Sequence, residues 1–319
     1  MDNTIKLLKS LADPTRLRVM AMCRHGGDLT VSEIVRILGQ SQPRVSRHLK
    51  LLTDAGALDR IPEGSWVFYR LGKQSGVTSV IDALLSNIPV DDSTLQRDQE
   101  RLERVKSDRD QAASKYFSEN AAAWNSLRAL HIDQEQVNTA IAALGCKRPI
   151  RRLLDLGTGT GEMLRLFAPQ IETGEGIDLS RDMLAVARSK LEEDNLDHCR
   201  VRQGDLYALP FPDDSFDTVV VHQVLHFVDD VASALNEAAR VLVDGGQMLI
   251  ADFAPHDIED LRTTHQHRRL GFANNDFDEA LRQSNLDVLT VQHLEGAHLT
   301  VTIWHARKSG VMPVKEAMA

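Results

Sequence analysis

Cysteine is scarce: Cys23, Cys146 and Cys199 are the only three in 319 residues, odd in number and far apart. So few thiols cannot staple a disulfide scaffold and suit a reducing compartment, so a cytoplasmic protein is expected. Aromatic residues are few as well, at 5%. No stretch approaches about eighteen uninterrupted apolar residues, so no membrane span is expected. The opening MDNTIKLLKSLADPTR carries charge throughout, with no apolar centre or small-residue cleavage site, and reads as no export signal. Internal repeats and low-complexity tracts are missing. What is present, 42% hydrophobic and 26% charged, is a globular composition long enough for two domains, which excludes disorder and collagen.

The net charge of −9 is unevenly placed. Residues 1–90 hold 12 Lys/Arg against 8 Asp/Glu, residues 91–120 hold 6 against 8, and the remainder holds 19 against 30. A mildly basic block ahead of an acidic body is the pattern of a DNA-reading module attached to a small-molecule domain. Between them, after Ile88-Pro89-Val90, lies DDSTLQRDQERLERVKSDRDQ. Its few apolar side chains, Leu95, Leu102 and Val105, fall at helical spacing. An exposed helix with one thin seam is expected, either a spacer or a helix that pairs with its copy in a dimer. The expected organisation is a DNA-binding domain over 1–90, a charged helical linker over 91–111, an α/β domain over 112–306 and a tail over 307–319.

In the first block Ile5, Leu8, Leu11, Leu17 and Met20 follow helical periodicity, broken at Asp13-Pro14, where Asp13 can cap a second helix with Pro14 at its first position. Gly26-Gly27 ends that helix. Thr30 or Ser32 then opens a helix over Val31 to Leu38, and Gly39 stops it in a position suited to left-handed geometry. Ser41 is the N-cap of the next helix, which runs through Val45, Leu49 and Leu52 to Ala55-Gly56. Helix, glycine turn, helix is the helix-turn-helix grammar. Val45, Leu49 and Leu52 form the buried stripe, leaving Gln42, Arg44, Ser46, Arg47 and Lys50 outward or flanking. Arginine can bridge guanine and glutamine can bridge adenine, while Lys50 with the helix N-terminus suits phosphate; Ser41 at the N-cap completes the DNA-binding candidates. Arg60 to Leu71 alternates around a Pro/Gly turn and predicts a β-hairpin, the wing.

Together ADPTRLRVM, SQPRVSRHLKLLTDAGAL and SWVFYRL resemble the ArsR family of dimeric bacterial repressors, over about residues 5 to 85. The resemblance implies a homodimer on a double-stranded DNA operator. Where metal-sensing members carry a pair of thiols, this chain has Thr30 and Ser32, and hydroxyls are poor ligands for arsenite, cadmium or zinc. No metal site is expected, and Cys23 is left to pack as a small apolar residue.

From Ile150 onward strand and helix patterns alternate: Arg152 to Leu156, helix to Pro169, Gly174 to Leu179, helix through Lys190, Arg200 to Gln203, Phe216 to His222, helix through Val241, and Gln247 to Phe253. That alternation predicts a parallel sheet with crossover helices. The first strand runs into DLGTGTG, a glycine loop opening a helix. A dinucleotide loop would place its third glycine at 162, where Glu162 stands, and a carboxylate there disfavours pyrophosphate. No Lys-Ser/Thr pair follows, which excludes a triphosphate loop. S-adenosylmethionine fits better: it has no phosphate, and its sulfonium and ammonium tolerate Asp155. Asp178, 21 residues after Gly157, can accept from both ribose hydroxyls, and Asp205 from the adenine amino group.

DLGTGTG, GIDLSRDML, GDLYALPFPDDSFDTVVV, HQVLHFVDD and EAARVLVDGGQMLIADF resemble the class I S-adenosylmethionine-dependent methyltransferases, over roughly residues 112 to 306. The resemblance implies a Rossmann-like, mostly parallel seven-stranded sheet whose final antiparallel strand is Leu299 to Ala306. It assigns Gly157 and Gly159 to the methionine moiety, Asp178 to ribose, Asp205 with Leu206 to adenine, and His222 with Gln223 to the transfer end. Tyr116-Phe117 and Trp124 concentrate aromatic residues ahead of the glycine loop, so Tyr116 is either a lid over the cofactor or ordinary helix packing.

Methyl transfer is an in-line displacement that needs alignment, water exclusion and, for some acceptors, removal of a proton. Histidine suits that task near neutral pH. His226, four residues after His222, is the first candidate base, with His256, His265 and His267 following strand five. The alternative is a packing histidine. HQVLH replaces the Asn/Asp-Pro-Pro-Tyr segment of adenine-N6 and glutamine methyltransferases, and only Cys146 and Cys199 occur here, without the thiol pattern of arsenite methyltransferases. Two functions remain open. One is a DNA-binding regulator with a working methyltransferase for a small-molecule acceptor. The other is a repressor whose second domain senses S-adenosylmethionine or S-adenosylhomocysteine without turnover.

Overall fold

The computed structural model describes residues 2–63, 66–72, 75–89, 91–121 and 133–310, which form two compact units, Met1–Ala112 and Ala113–Ala319. Trp124, the Gly64-Ser65 tip of the wing and most of the expected tail lie outside the described residues.

The first unit comprises α1 (Asp2–Leu11), α2 (Pro14–Gly26), β1 (Leu29–Thr30), α3 (Val31–Leu38), α4 (Gln42–Asp54), β2 (Leu58–Glu63), β3 (Trp66–Leu71), α5 (Ser75–Ser86) and the start of α6 (Ser93–Asn120). The caps sit where short polar side chains lead each helix. Asp13 accepts from the Arg16 N–H at 3.0 Å, with Pro14 opening α2. Thr30 and Glu33 form a reciprocal capping box at the start of α3, and Gly39 ends it with φ 63°. Ser41 occupies the N-cap position of α4, but its side chain makes no capping hydrogen bond. β1, β3 and β2 pair antiparallel in that order, so the wing hairpin is present.

Helix α6 is charged along its length, yet Leu102 and Val105 are 0% and 2% exposed and join Leu7, Val19 and Leu29 in the first unit's core. A Cβ on Gly26 would lie 2.9 Å from Leu102 Cδ1, so the absence of a side chain there lets Leu102 in. The apolar seam read in 91–111 is therefore covered by the first unit rather than by solvent.

The second unit continues with α7 (Gln134–Gly145), β4 (Arg152–Leu156), α8 (Glu162–Phe167), β5 (Thr173–Asp178), α9 (Arg181–Glu193), β6 (Cys199–Gln203), β7 (Phe216–His222), α10 (Val231–Val241), β8 (Leu242–Phe253), α11 (Asp260–Thr263), α12 (Asn274–Gln283), β9 (Leu286–Glu295) and β10 (Thr300–Lys308). Its strands form one seven-stranded sheet in the order β6-β5-β4-β7-β8-β10-β9. The sheet is parallel except for β10, which runs antiparallel to both β8 and β9. This is the Rossmann-like, mostly parallel seven-stranded sheet that the methyltransferase resemblance implies. The antiparallel strand lies where expected, whereas β9, beside it, has no counterpart in the sequence reading.

Successive residues on the buried strands feed opposite faces. Leu153, Val220, Leu249 and Ile303 enter one core, and Leu154, Val219, Val221, Ile250 and Trp304 enter the other. The strand order reverses direction at β4, which opens a crevice at the carboxyl ends of β4 and β7. Leu102→Ala is expected to remove about 2–5 kcal/mol from the first unit by leaving a cavity beside Gly26. Amide hydrogen exchange in α2 and α3 measures that loss.

Candidate cofactor and active site

The loop from β4 to α8 carries Gly157, Gly159 and Gly161 at φ 66°, 52° and 79°, a left-handed run that L side chains resist. Contacts from the neighbouring strand ends pin it. The Thr158 N–H donates to Ile177 O at 2.9 Å, and its hydroxyl donates to Asp155 Oδ2 at 2.6 Å. Asp178 Oδ2 accepts the Gly159 N–H at 2.9 Å, while Oδ1 accepts the Ser180 N–H at 2.8 Å. A Cβ on Gly157 would lie 2.4 Å from Val224 Cγ2, so glycine is required for the loop to reach the segment after β7. Burial pushes the Asp178 carboxyl above its ordinary range, and the N–H bonds from Ser180 and Gly159 oppose that shift.

The structure gathers the expected cofactor residues unequally. Asp155 is buried at the base of the loop. Asp178 closes β5. Leu206 lines a small apolar cleft with Leu156, Val221 and Val224. Asp205 is exposed in the turn just before it, where its carboxylate accepts the Tyr207 N–H at 2.9 Å. His222 and Gln223 are buried at the end of β7; Gln223 adopts φ 55°, and its N–H donates to Ala251 O at 2.7 Å.

His226 sits in the short 3-10 turn Leu225–Phe227 beyond β7 and is 2% exposed. Its Nδ1 lies 2.7 Å from Asp252 Oδ1, and Asp252 is 0% exposed. Asp252 also accepts the Leu225 N–H at 2.9 Å and the Phe253 N–H at 2.8 Å, so three donors converge on one buried carboxylate. The sequence reading missed Asp252. The signal was there: an aspartate inside the apolar strand LIADF needs a buried partner. The His226 ring stacks on His267 at 4.1 Å between centroids and meets Phe227 and Phe253 at 4.1 and 5.0 Å. Phe117 packs edge-on to Phe227 at 4.9 Å. Tyr116 is hydrogen-bonded through Oη to His265 Nδ1 at 2.7 Å, and burial raises its phenol above the ordinary value. The His226 carbonyl accepts the N–H groups of Arg268 and Arg269 at 2.8 and 3.0 Å, tying the turn to the loop after α11.

Among the described residues, no group of three or more His, Cys, Asp or Glu is gathered so that it could hold a metal ion. Thr30 Oγ1 and Ser32 Oγ lie 3.1 Å apart, and Thr30 is engaged in capping α3. Burial pushes the thiol of Cys23 up to about 12 and that of Cys199 up to about 11, so neither is a ready thiolate. No helix among the described residues is long and apolar enough to cross a membrane.

On α4, Val45, Leu49 and Leu52 are fully buried, while Ser41, Gln42, Arg44, Ser46, Arg47 and Lys50 are all exposed. Every side chain read as a DNA contact is thus available on the surface of the second helix of the helix-turn-helix.

Residues 154–250 match the family described as a methyltransferase domain, and residues 11–61 match a family described as a helix-turn-helix domain. The chain joins a helix-turn-helix domain to a methyltransferase domain. It is 35% identical over 142 residues to the uncharacterized methyltransferase YcgJ of Bacillus subtilis, covering 44% of this chain and 55% of that protein. It is 40% identical over 115 residues to a demethylmenaquinone methyltransferase of Thermus thermophilus, covering 35% and 51%. The chain therefore spans about half the length of these curated relatives. Among solved structures, a chain in the complex of the Haloferax volcanii Trm112 methyltransferase activator with a methyltransferase aligns at TM-score 0.51 and 22% identity, covering 60% of this chain and 97% of that one. That likeness concerns the fold.

A methyltransferase domain implies S-adenosylmethionine as the methyl donor. The residues in place suit it: the loop is lined by carboxylate acceptors, Asp155 and Asp178, and Glu162 opens α8 where a pyrophosphate would need an uncharged N-terminus.

His256, beside this cluster, is held down to about 4 by burial first and by the neighbouring His226 and Arg262 charges next. The folded protein takes up that proton only near pH 4, whereas an unfolded histidine takes it near 6.5. Stability is therefore lost as pH falls between those values. His256→Gln should recover on the order of 1–2 kcal/mol of that loss after solvent screening, measured as the difference in urea unfolding between about pH 7 and pH 4.5.

Proposed function

We propose that this chain is a homodimeric, cytoplasmic transcriptional regulator of the ArsR type whose second domain methylates a small-molecule acceptor, with His226 as general base. The observation that carries the catalytic half is the buried His226–Asp252 pair at the carboxyl edge of β7 and β8. A domain that only sensed the methyl donor has no use for an oriented base. The Thermus relative is named for demethylmenaquinone, which supports a small acceptor.

When bound, S-adenosylmethionine supplies a methyl group activated by its sulfonium. Gly157 and Gly159 would admit its methionine moiety close to the backbone, Asp178 would accept from the ribose hydroxyls, Asp205 and Leu206 would hold adenine, and His222 and Gln223 would face the transfer end. Asp252 takes the Nδ1–H of His226, which selects that tautomer and leaves Nε2 basic toward an acceptor proton. The carboxylate also stabilises the imidazolium that forms. The rings of Phe227, Phe253 and His267 around His226 keep water from the base.

His226→Ala should lower methyl transfer by roughly 10²–10⁴-fold, the usual contribution of a general base. Calorimetric affinity for S-adenosylmethionine and S-adenosylhomocysteine should stay near that of the unmodified chain. Unchanged transfer dismisses the base, and ligand binding by the unmodified chain with no turnover on any small-molecule panel favours the sensor reading.

For the first domain, Arg44→Ala and Arg47→Ala should each weaken binding to a selected duplex by about 1–3 kcal/mol if they reach base edges. A loss equal on all sequences assigns them to phosphates instead.

A further inference from the structure

The segment of α6 from Ser93 to Ala112 lies outside the matched helix-turn-helix stretch, yet it is fastened along α3 at both ends. At the amino end of α3, Arg109 lies 3.5 Å from Glu33, the capping-box acid. At the carboxyl end, Arg101 Nη1 donates to Ile37 O at 3.0 Å and Arg18 Nη2 donates to Leu38 O at 3.1 Å. These are last-turn carbonyls, which have no partner within their own helix. Arg18 is itself held by Asp98 of α6, through Nε to Oδ2 at 2.5 Å and Nη2 to Oδ1 at 2.7 Å, and Asp98 is 1% exposed. A Cβ on Gly39 would lie 3.2 Å from Arg101 Nη1, so the turn glycine sits beneath that guanidinium. Lys106 Nζ adds a bond to His25 O at 2.9 Å.

We infer that the Ser93–Ala112 stretch of α6 is part of the DNA-reading head, and that Asp98 and Arg101 are positioning residues for the recognition helix α4. They act through the turn at Gly39, which joins α3 to α4. The inference rests on the reading of α4 as the DNA-contacting helix. The contacts do not weigh equally. Arg36 and Asp108, 2.5 Å apart, are each more than half exposed, and such pairs contribute little. The Asp98–Arg18 fork is two-pronged and its carboxylate is buried, so removing one partner strands the other. The effect should therefore come from Asp98 and Arg101 and not from Asp108, although all three lie on one helix.

The test uses the full chain carrying Asp98→Asn, Arg101→Ala or Asp108→Asn. Amide hydrogen exchange without DNA is followed at Gly39 to Gln42, together with binding to a duplex that the unmodified chain selects from a random pool. Asp98→Asn should speed exchange in the turn and weaken duplex binding, each roughly tenfold, the scale of one lost charge-assisted hydrogen bond. Arg101→Ala should shift both in the same direction, and Asp108→Asn should match the unmodified chain. The amides of Val19 and Met20 should keep their protection, which separates positioning from general loosening of the unit. The salt slope of binding should also be unchanged, since neither residue is assigned to a phosphate. Turn exchange equal to that of the unmodified chain in both Asp98→Asn and Arg101→Ala overturns the inference, as does duplex affinity that ignores them. If the pool yields no duplex, the DNA reading of α4 fails, and turn exchange alone decides whether α6 holds the turn.

Discussion

The second unit depends on the close approach of Gly157 to Val224 where the strand order reverses. Crossovers leaving β4 travel one way to β5 and β6, and the chain then returns across the sheet to β7, so the carboxyl ends of β4 and β7 diverge into a crevice. Only a residue without Cβ lets the first loop cross to that side. Everything assigned to the cofactor hangs from this crossing. Thr158 bonds back to β5, Asp178 grips Gly159, and the turn that carries His226 begins directly after Val224.

Buried acids do the aiming on both sides of the chain. Asp252 collects three donors at the end of β8, and Asp98 collects the fork of Arg18 on α6. Neither arrangement is a strong source of stability, because desolvating a charge offsets most of what its partner returns. What each provides is direction: a satisfied carboxylate in an apolar setting tolerates only one disposition of its donors. The imidazole of His226 and the last carbonyls of α3 are thereby held in place, and those are the groups on which the proposed base catalysis and the proposed pose of α4 rest.

Local features were the legible ones. Asp13-Pro14, the glycine at 39 and the glycine loop announce themselves because each cap or turn is satisfied within a few residues, whereas the choice between Thr30 and Ser32 was settled only by the bond from Thr30 to Glu33. Strands β4, β7 and β8 were readable from their apolar runs, β5 and β6 only from their alternation with helices, and the position of Asp178 from the end of β5. Asp252 was not, since its partner His226 is 26 residues away and nothing periodic connects them. The Asp98–Arg18 pair spans 80 residues and was hidden inside a segment whose composition reads as a solvated face. Strand β9 was missed for a related reason: as an edge strand it alternates weakly, with only Leu286 and Leu294 buried.

The burial of Leu102 beneath Gly26 bears on how this chain can be dissected. A fragment ended after the wing would bare the apolar surface beside Gly26 and Leu29 and abandon the Arg18 guanidinium without its Asp98 partner, inviting aggregation. The smallest piece that keeps the first unit's core whole accordingly reaches past the recognisable motif to about residue 112, and the charged helix is cargo that such a piece must carry.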